Sequence, residues 1–376
     1  MIALDRDPAA PGFRFADRRA IISTEDEQGV ERLASAEAVE GIIAPGIDWP
    51  VGIAARVAER LGLAHPLDPV TAGLAVSKDR QRERFAEAGV PQPHWQLVTQ
   101  PEPGLPTPSV VKASDRQGQK GLTLVRSEDE LPAAIARAIE ESRSGVAVVE
   151  ELVDGPEVTV VAFSVRGEFH ALTVTDRLTA DPPAFGVALA HVWPSEGAGE
   201  NAVKVARQAA EALGIENGPT YTQLRIGPKG PRVMELAARL GGGHDAELAH
   251  AALGVDLNGL ALDAALGESI WSAALRTAPQ VGGAVTRFLV PPEASSRRSR
   301  ASRRRAPSRE SSTCVSTASP AMSSGHSSAA PTEPARCSRS ATAARKPSSG
   351  PMRPHAAYAS GSVQRVSLRR LRAEFK

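Results

Sequence analysis

The chain has 376 residues and a formal net charge of +1, unevenly spread: residues 294–376 hold 17 Lys and Arg against 3 Asp and Glu, leaving 27 against 40 for residues 1–293. Both cysteines, Cys314 and Cys337, lie in the basic stretch, which excludes a disulfide framework, a cysteine nucleophile and a thiolate zinc site from the acidic body. No apolar run approaches the ~18–20 residues that cross a bilayer and no signal-peptide pattern stands at the start, so a soluble, cytoplasmic protein without a membrane partner is expected.

In chain order, IALDRD reads as a short strand and Arg19 to Ser23 as extended. A helix is expected over Glu25–Ala38, a buried strand over Gly41–Ala44 and a helix over Val51–Leu61 that ends before Gly62. This alternation is that of an open parallel α/β unit. Such units begin with a strand leading into a Gly-rich turn; no such pair is present, so an N-terminally truncated unit is expected. Ser77 can cap a helix through KDRQRERFAEAG, which Gly89, Pro91 and Pro93 end, and GVPQPHW is an extended link.

Beyond the link, strands are expected at Ser109–Lys112 and Leu122–Val125, and a capping box Ser127-x-x-Glu130 opens a helix to about Glu141. Strands over Val146–Glu150, Glu157–Ser164 and Phe169–Val174 complete an α+β lobe. A helix from Asn201 to Gly214, the strand pair TYTQLRI and PRVMEL around Gly-Pro-Lys-Gly, and the helices AELAHAALG and LNGLALDAALGE follow. From Ala294 onward Ser, Arg, Ala and Pro dominate, a composition that cannot offset the entropy of ordering. A disordered basic tail over 294–376 is expected. A linker, a nucleic-acid-binding tail and out-of-frame translation compete for it. The abrupt onset after Pro291-Pro292-Glu293 favours the third, and Arg303–Arg305 without interleaved aromatics is a weak nucleic-acid signal.

Phosphate chemistry needs cations, close backbone and oxygen ligands for a hard metal. Lys112 ends an apolar strand and could reach a phosphate or simply be solvated. In Asp115–Gly121, Gly118 and Gly121 bracket Lys120, so N–H groups and an ammonium could wrap phosphates. Neither a Walker A motif nor a G-x-G-x-x-G fingerprint occurs, which argues against P-loop and dinucleotide sites.

Together, SVVKAS, DRQGQKG, VVEELVDGPEV and TYTQLRI…VMELAAR over residues 1–293 resemble the ATP-grasp superfamily of carboxylate–amine and carboxylate–thiol ligases, with carbamoyl-phosphate synthase large chains and biotin carboxylase-like proteins among its members. The resemblance implies a pre-ATP-grasp α/β domain over 1–75 and a two-lobed ATP-grasp domain over 76–293, its small lobe about 97–154. It implies that ATP is held by Lys78, Lys112 and the loop residues Gly118, Lys120 and Gly121. Glu150, Glu151 and Val153 match the adenine-reading hinge and Glu157 the ribose acceptor. Gln223 and Glu235 match the positions that hold Mg2+ (or Mn2+), and Arg239 the arginine on the transferred phosphoryl group. Ala237 stands where the family often has a metal-ligating Asn.

On the residues alone, Arg177 could pair with a substrate carboxylate, His191 and His244 could line the substrate side, and Gly241–Gly243 could admit an acyl phosphate. The implied partners are a small carboxylate and an amine, within a homodimer. The competing functions are a nucleotide-binding module without turnover and a basic-tailed nucleic-acid-associated factor.

Overall fold

The computed structural model describes residues 1–101, 105–181, 184–197 and 199–289 and the backbone of 313–318. The expectations for the remainder of 294–376 lie outside the described residues.

The N-terminal unit pairs β1 (Ile2–Asp5) with β2 (Arg18–Ile21) in parallel. Over them pack α1 (Glu27–Ala36), capped by the Asp26 carboxylate at Gly29 N, and α2 (Asp48–Leu61), which ends at left-handed Gly62. Val30, Ala34, Ile53 and Val57 form their shared core. The strand expected at Gly41–Ala44 does not form. Gly41 makes one isolated bridge to Ala64, and Ile43 stays 40 % exposed. A ladder there lacks an adjacent strand, and Pro45 ends its donor series. Asp68 caps α3 (Pro69–Ala75) through Val70 N and Thr71 N, and α4 (Lys78–Glu87) follows. Ser77 does not cap α4; its hydroxyl donates to Asp79 instead.

The small lobe is an antiparallel sheet of β3 (Trp95–Val98), β4 (Ser109–Ala113), β5 (Thr123–Val125) and, after α5 (Leu131–Glu141), β6 (Ala147–Glu151), in the order β3-β6-β4-β5. Leu131, Ala134, Ile135 and Ala138 recur on one face of α5 and bury against Val111, Val125 and Val149. The expected capping box is absent. Pro132 has no N–H to give inside a helix begun at Ser127, so a 3-10 turn over Glu128–Glu130 intervenes and Glu130 accepts from Arg126 N at 2.8 Å.

The large lobe comprises β7 (Glu157–Val165), β8 (Glu168–Thr179), β9 (Ala188–Trp193), α6 (Glu200–Ala212), β10 (Gly218–Gly227), β11 (Gly230–Ala237), α7 (Asp245–Leu253), α8 (Leu257–Leu266), β12 (Gly283–Phe288) and β13 (Thr313–Ala318). Its antiparallel sheet runs β11-β10-β7-β8-β9-β12-β13, so part of the basic stretch supplies an edge strand. One face buries Val158, Val160, Leu224 and Val233 against the alanine stripe of α6. The other packs Val161, Phe163 and Trp193 against Leu248 and Ala252 of α7. Among the described residues no helix is long and apolar enough to cross a membrane.

Candidate functional site

Between the two sheets lies a cavity of about 350 Å³, within the usual range for a small-molecule site. Lys78, Lys112, Gly118, Lys120, Glu150, Glu151, Val153, Glu157, Arg177, Gln223, Glu235 and Arg239 all line it. Of the sequence-derived candidates, Gly121, His191, Gly241–Gly243 and His244 do not.

Alternation along β4 sends Val111 into the lobe core and Lys112 into the cleft. Lys112 Nζ donates to Glu150 Oε2 at 2.7 Å, while Arg82 Nε and Nη2 hold Oε1 at 2.9 and 2.8 Å. Arg82, 2 % exposed, also donates to the carbonyls of Val233 at 2.9 Å and Met234 at 2.6 Å on β11. A single guanidinium therefore joins the two lobes. Burial lowers the Lys112 ammonium below its usual value, and Glu150 offsets part of that. Burial would raise Glu150, but Arg82 and Lys112 hold it below the ordinary carboxylate value. The Glu150 carboxylate is thus spent on two cations, which corrects its reading as an adenine-facing acid.

Gln223 and Glu235 are direct cross-strand partners on β10 and β11, beside a bulge after Gln223. Lys78 Nζ lies 3.0 Å from Glu235 Oε1 and 2.5 Å from the Arg116 carbonyl. Burial pushes Glu235 up, and Lys78 with Lys112 draws it below its usual value. Ala237 is buried in the same wall. Carboxylate and amide oxygens suit a hard divalent cation. Among the described residues no three His, Cys, Asp or Glu gather for a metal, so Gln223 and Glu235 fit Mg2+ or Mn2+ only with further oxygens from a ligand.

Arg177 reaches Glu157, and Arg225, opposite Glu157 in the β10–β7 register, lies 3.6 Å from its second oxygen. The expectation that Arg177 awaits a substrate carboxylate is corrected: the pairing of β7 with β8 puts an acid beside it. Arg225 Nη1 also donates to Val153 O at 3.1 Å. Arg239 is held by a bidentate pair with Asp48, Nε–Oδ1 2.6 Å and Nη2–Oδ2 2.9 Å, from 191 residues away. Burial lowers the Arg239 guanidinium, but Asp48 more than restores it, so the group stays charged. Tyr221, also in the wall, has its phenol pushed up to about 12 by burial and is a neutral donor.

The two histidines are corrected. His191 is buried behind the cavity, with Nδ1 2.8 Å from Asp245 Oδ1. His244 precedes α7 with φ 58 and a side chain 44 % exposed, 3.6 Å from Glu247. The glycine run serves the packing of this dyad: a Cβ at Gly243 would meet the His191 ring at 3.0 Å, and one at Gly241 would meet Asp245 Oδ2 at 2.1 Å. Gly121 likewise turns with φ 70 against Ala113 and Ala138, away from the cavity. Sequence reasoning missed Asp48, Arg82, Arg116, Tyr221 and Arg225. Arg82 hides among the charges of KDRQRERF; Arg116 stands within DRQGQKG, and Tyr221 and Arg225 within TYTQLRI, motifs read for other positions, while no local signal marked Asp48.

A family model described as ATP-grasp domain matches residues 105–247. That segment is similar to an ATP-grasp domain. Over 228 residues the chain is 30 % identical to the uncharacterized protein y4rH of Sinorhizobium fredii, covering 57 % of this chain and 46 % of that one. Another 31 % identity over 185 residues relates it to a D-alanine–D-alanine ligase of Gluconobacter oxydans, covering 45 % and 59 %. The chain thus spans about half the length of the curated relatives it matches. The crystal structure of an L-amino acid ligase from Bacillus licheniformis shares the fold at TM-score 0.63 and 24 % identity, over 72 % of this chain and 68 % of that one. The ATP-grasp fold accounts for the two sheets facing one cleft.

Proposed function

We propose that the chain is an ATP-dependent ligase that activates a small carboxylate as an acyl phosphate for attack by an amine. The observation that carries this reading is the convergence of Lys78, Lys112, Gln223, Glu235 and Arg239, from both lobes, on one cavity. Similarity to a D-alanine–D-alanine ligase supports amino acids as the substrate class. The proposal extends to a cytoplasmic, homodimeric enzyme.

Lys78 and Lys112 would lie along the phosphates, Glu157 beside the ribose and the hinge at Glu151–Val153 beside adenine. The glycine loop with Gly118 and Lys120 would cover the phosphates. When bound, Mg2+ or Mn2+ would neutralise phosphate charge between Gln223 and Glu235. A substrate carboxylate oxygen attacks the γ-phosphorus and the bond to the ADP oxygen breaks, leaving acyl phosphate and ADP. The amine nitrogen then attacks the acyl carbon, phosphate departs and the nitrogen loses a proton. The protein contributes positioning and charge neutralisation, with Arg239 on the transferred phosphoryl group.

The test is ADP release by the purified chain. Release is expected only when an acid and an amine are both present, and Lys112→Met is expected to abolish it. ATP hydrolysis indifferent to every acid and amine sinks the reading. A second reading, nucleotide binding without turnover, is favoured by Ala237 in the metal wall. Calorimetric ATP binding with no ADP formed would select it.

A further inference from the structure

The proposed chemistry uses Arg239 but does not explain what fixes it. Arg239 follows the end of β11, beyond the sheet ladder that orders Glu235 and Ala237. Its own lobe offers it one bond, Nη1 to the Leu240 carbonyl at 2.8 Å. The two bonds that define the plane of the guanidinium both go to Asp48. A bidentate carboxylate fixes the orientation of an arginine as well as its location.

Asp48 is itself well placed to do this. It is buried, lines the cavity and opens α2, where a carboxylate is favoured by the helix N-terminus. The loop before it runs beside the glycine run, with Gly46 O 3.9 Å from where a Gly242 Cβ would stand. The next residue, Trp49, faces the other lobe: Arg143 lies over its ring at 4.3 Å and pairs with Glu25 at 2.7 Å. Arg143 in turn donates to the Asp115 carbonyl at 3.0 Å, at the head of the glycine loop. The first turn of α2 therefore contacts the phosphoryl-side arginine of the large lobe and the loop-bearing end of the small lobe.

We infer that Asp48 is a positioning residue: the N-terminal unit completes the site by aiming the Arg239 guanidinium into the cleft. This rests on the ligase reading for the identity of the group that Arg239 meets, a terminal phosphoryl. It requires that residues outside the ATP-grasp domain match take part in the chemistry. The fold alone does not require it, because a purely structural contact between units would leave turnover per folded molecule unchanged.

The test compares wild type, Asp48→Asn, Asp48→Glu, Arg239→Lys and the Asp48→Asn/Arg239→Lys double variant, each checked for a cooperative melt. Asp48→Asn keeps one acceptor but loses the charged fork. Its kcat is expected to fall about 10- to 100-fold, as for a misaimed reacting group, with KM for ATP rising only several-fold. Asp48→Glu should recover part of the loss. Because Asp48 acts through Arg239, the double variant should lose little beyond Arg239→Lys alone. Additive losses, or a kcat unchanged in Asp48→Asn, overturn the inference. Should wild type turn over no acid and amine, the ligase reading fails separately, and calorimetry then decides the positioning role. Asp48→Asn should lose several-fold of the preference for ATP over ADP, with ADP affinity unchanged. An unaltered ratio overturns it.

Discussion

Glu150 shows how little a residue's type says about its task. Its carboxylate lies buried between Arg82 and Lys112, the one an arginine that joins the lobes and the other a lysine aimed into the cleft. Removing its charge leaves two buried cations facing each other, so Glu150→Gln is expected to cost about 3–5 kcal/mol in urea unfolding. The sign of the pH dependence follows from its lowered folded pKa. Its contribution is complete above the ordinary carboxylate value of 4.5 and is lost as pH falls below that value through the lower folded one. The gap between wild type and Glu150→Gln should therefore narrow in acid unfolding curves below about pH 4.5. A gap that widens in acid would refute the assignment. The acid at 150 was visible in VVEEL, but its partners are 68 and 38 residues away. Arg177 repeats the lesson, because its partner Glu157 was known as a residue and not as a neighbour.

At the scale of elements, the turn after β4 separates two glycines that look alike in DRQGQKG. Gly118 has φ 66 with open space around it, while Gly121 has φ 70 with Ala113 Cβ 3.0 Å and Ala138 Cα 3.2 Å from its missing side chain. Gly118→Ala should cost only the left-handed backbone, about 1 kcal/mol. Gly121→Ala adds a clash with the α5–β4 packing and should cost about 2–3 kcal/mol. Thermal melts of the two variants check the order, and equal losses would show that the loop relaxes. Strand periods and helix stripes around this turn were legible, since β4, β6, β7, β10 and β11 fall close to their expected spans. The helix starts were less so: Pro132 overrode the Ser127 box, and Ser77 bonded Asp79 rather than the backbone. Caps are decided by competition among neighbouring donors and acceptors, which a motif does not rank.

Across the whole molecule, Arg82 is the one described side chain bonded at once to the small-lobe acid Glu150 and to the β11 backbone. Arg82→Met removes these bonds, and the link between the lobes should open more often. Hydrogen exchange of amides near Trp95 and Val233 should quicken at least about tenfold, while α7 keeps its protection. Uniform loss of protection would show global unfolding instead. Residue order along the sequence was enough to mark most strands and helices of the two lobes and many of the charged side chains that line the cleft. Periodicity and motif spacing are local properties that each segment carries by itself. Which cation meets which acid was decided only by the tertiary structure. Asp48 with Arg239, Arg82 with Glu150 and His191 with Asp245 lie 191, 68 and 54 residues apart. Burial makes an unpaired charge costly, so each side chain takes the partner that folding brings nearest.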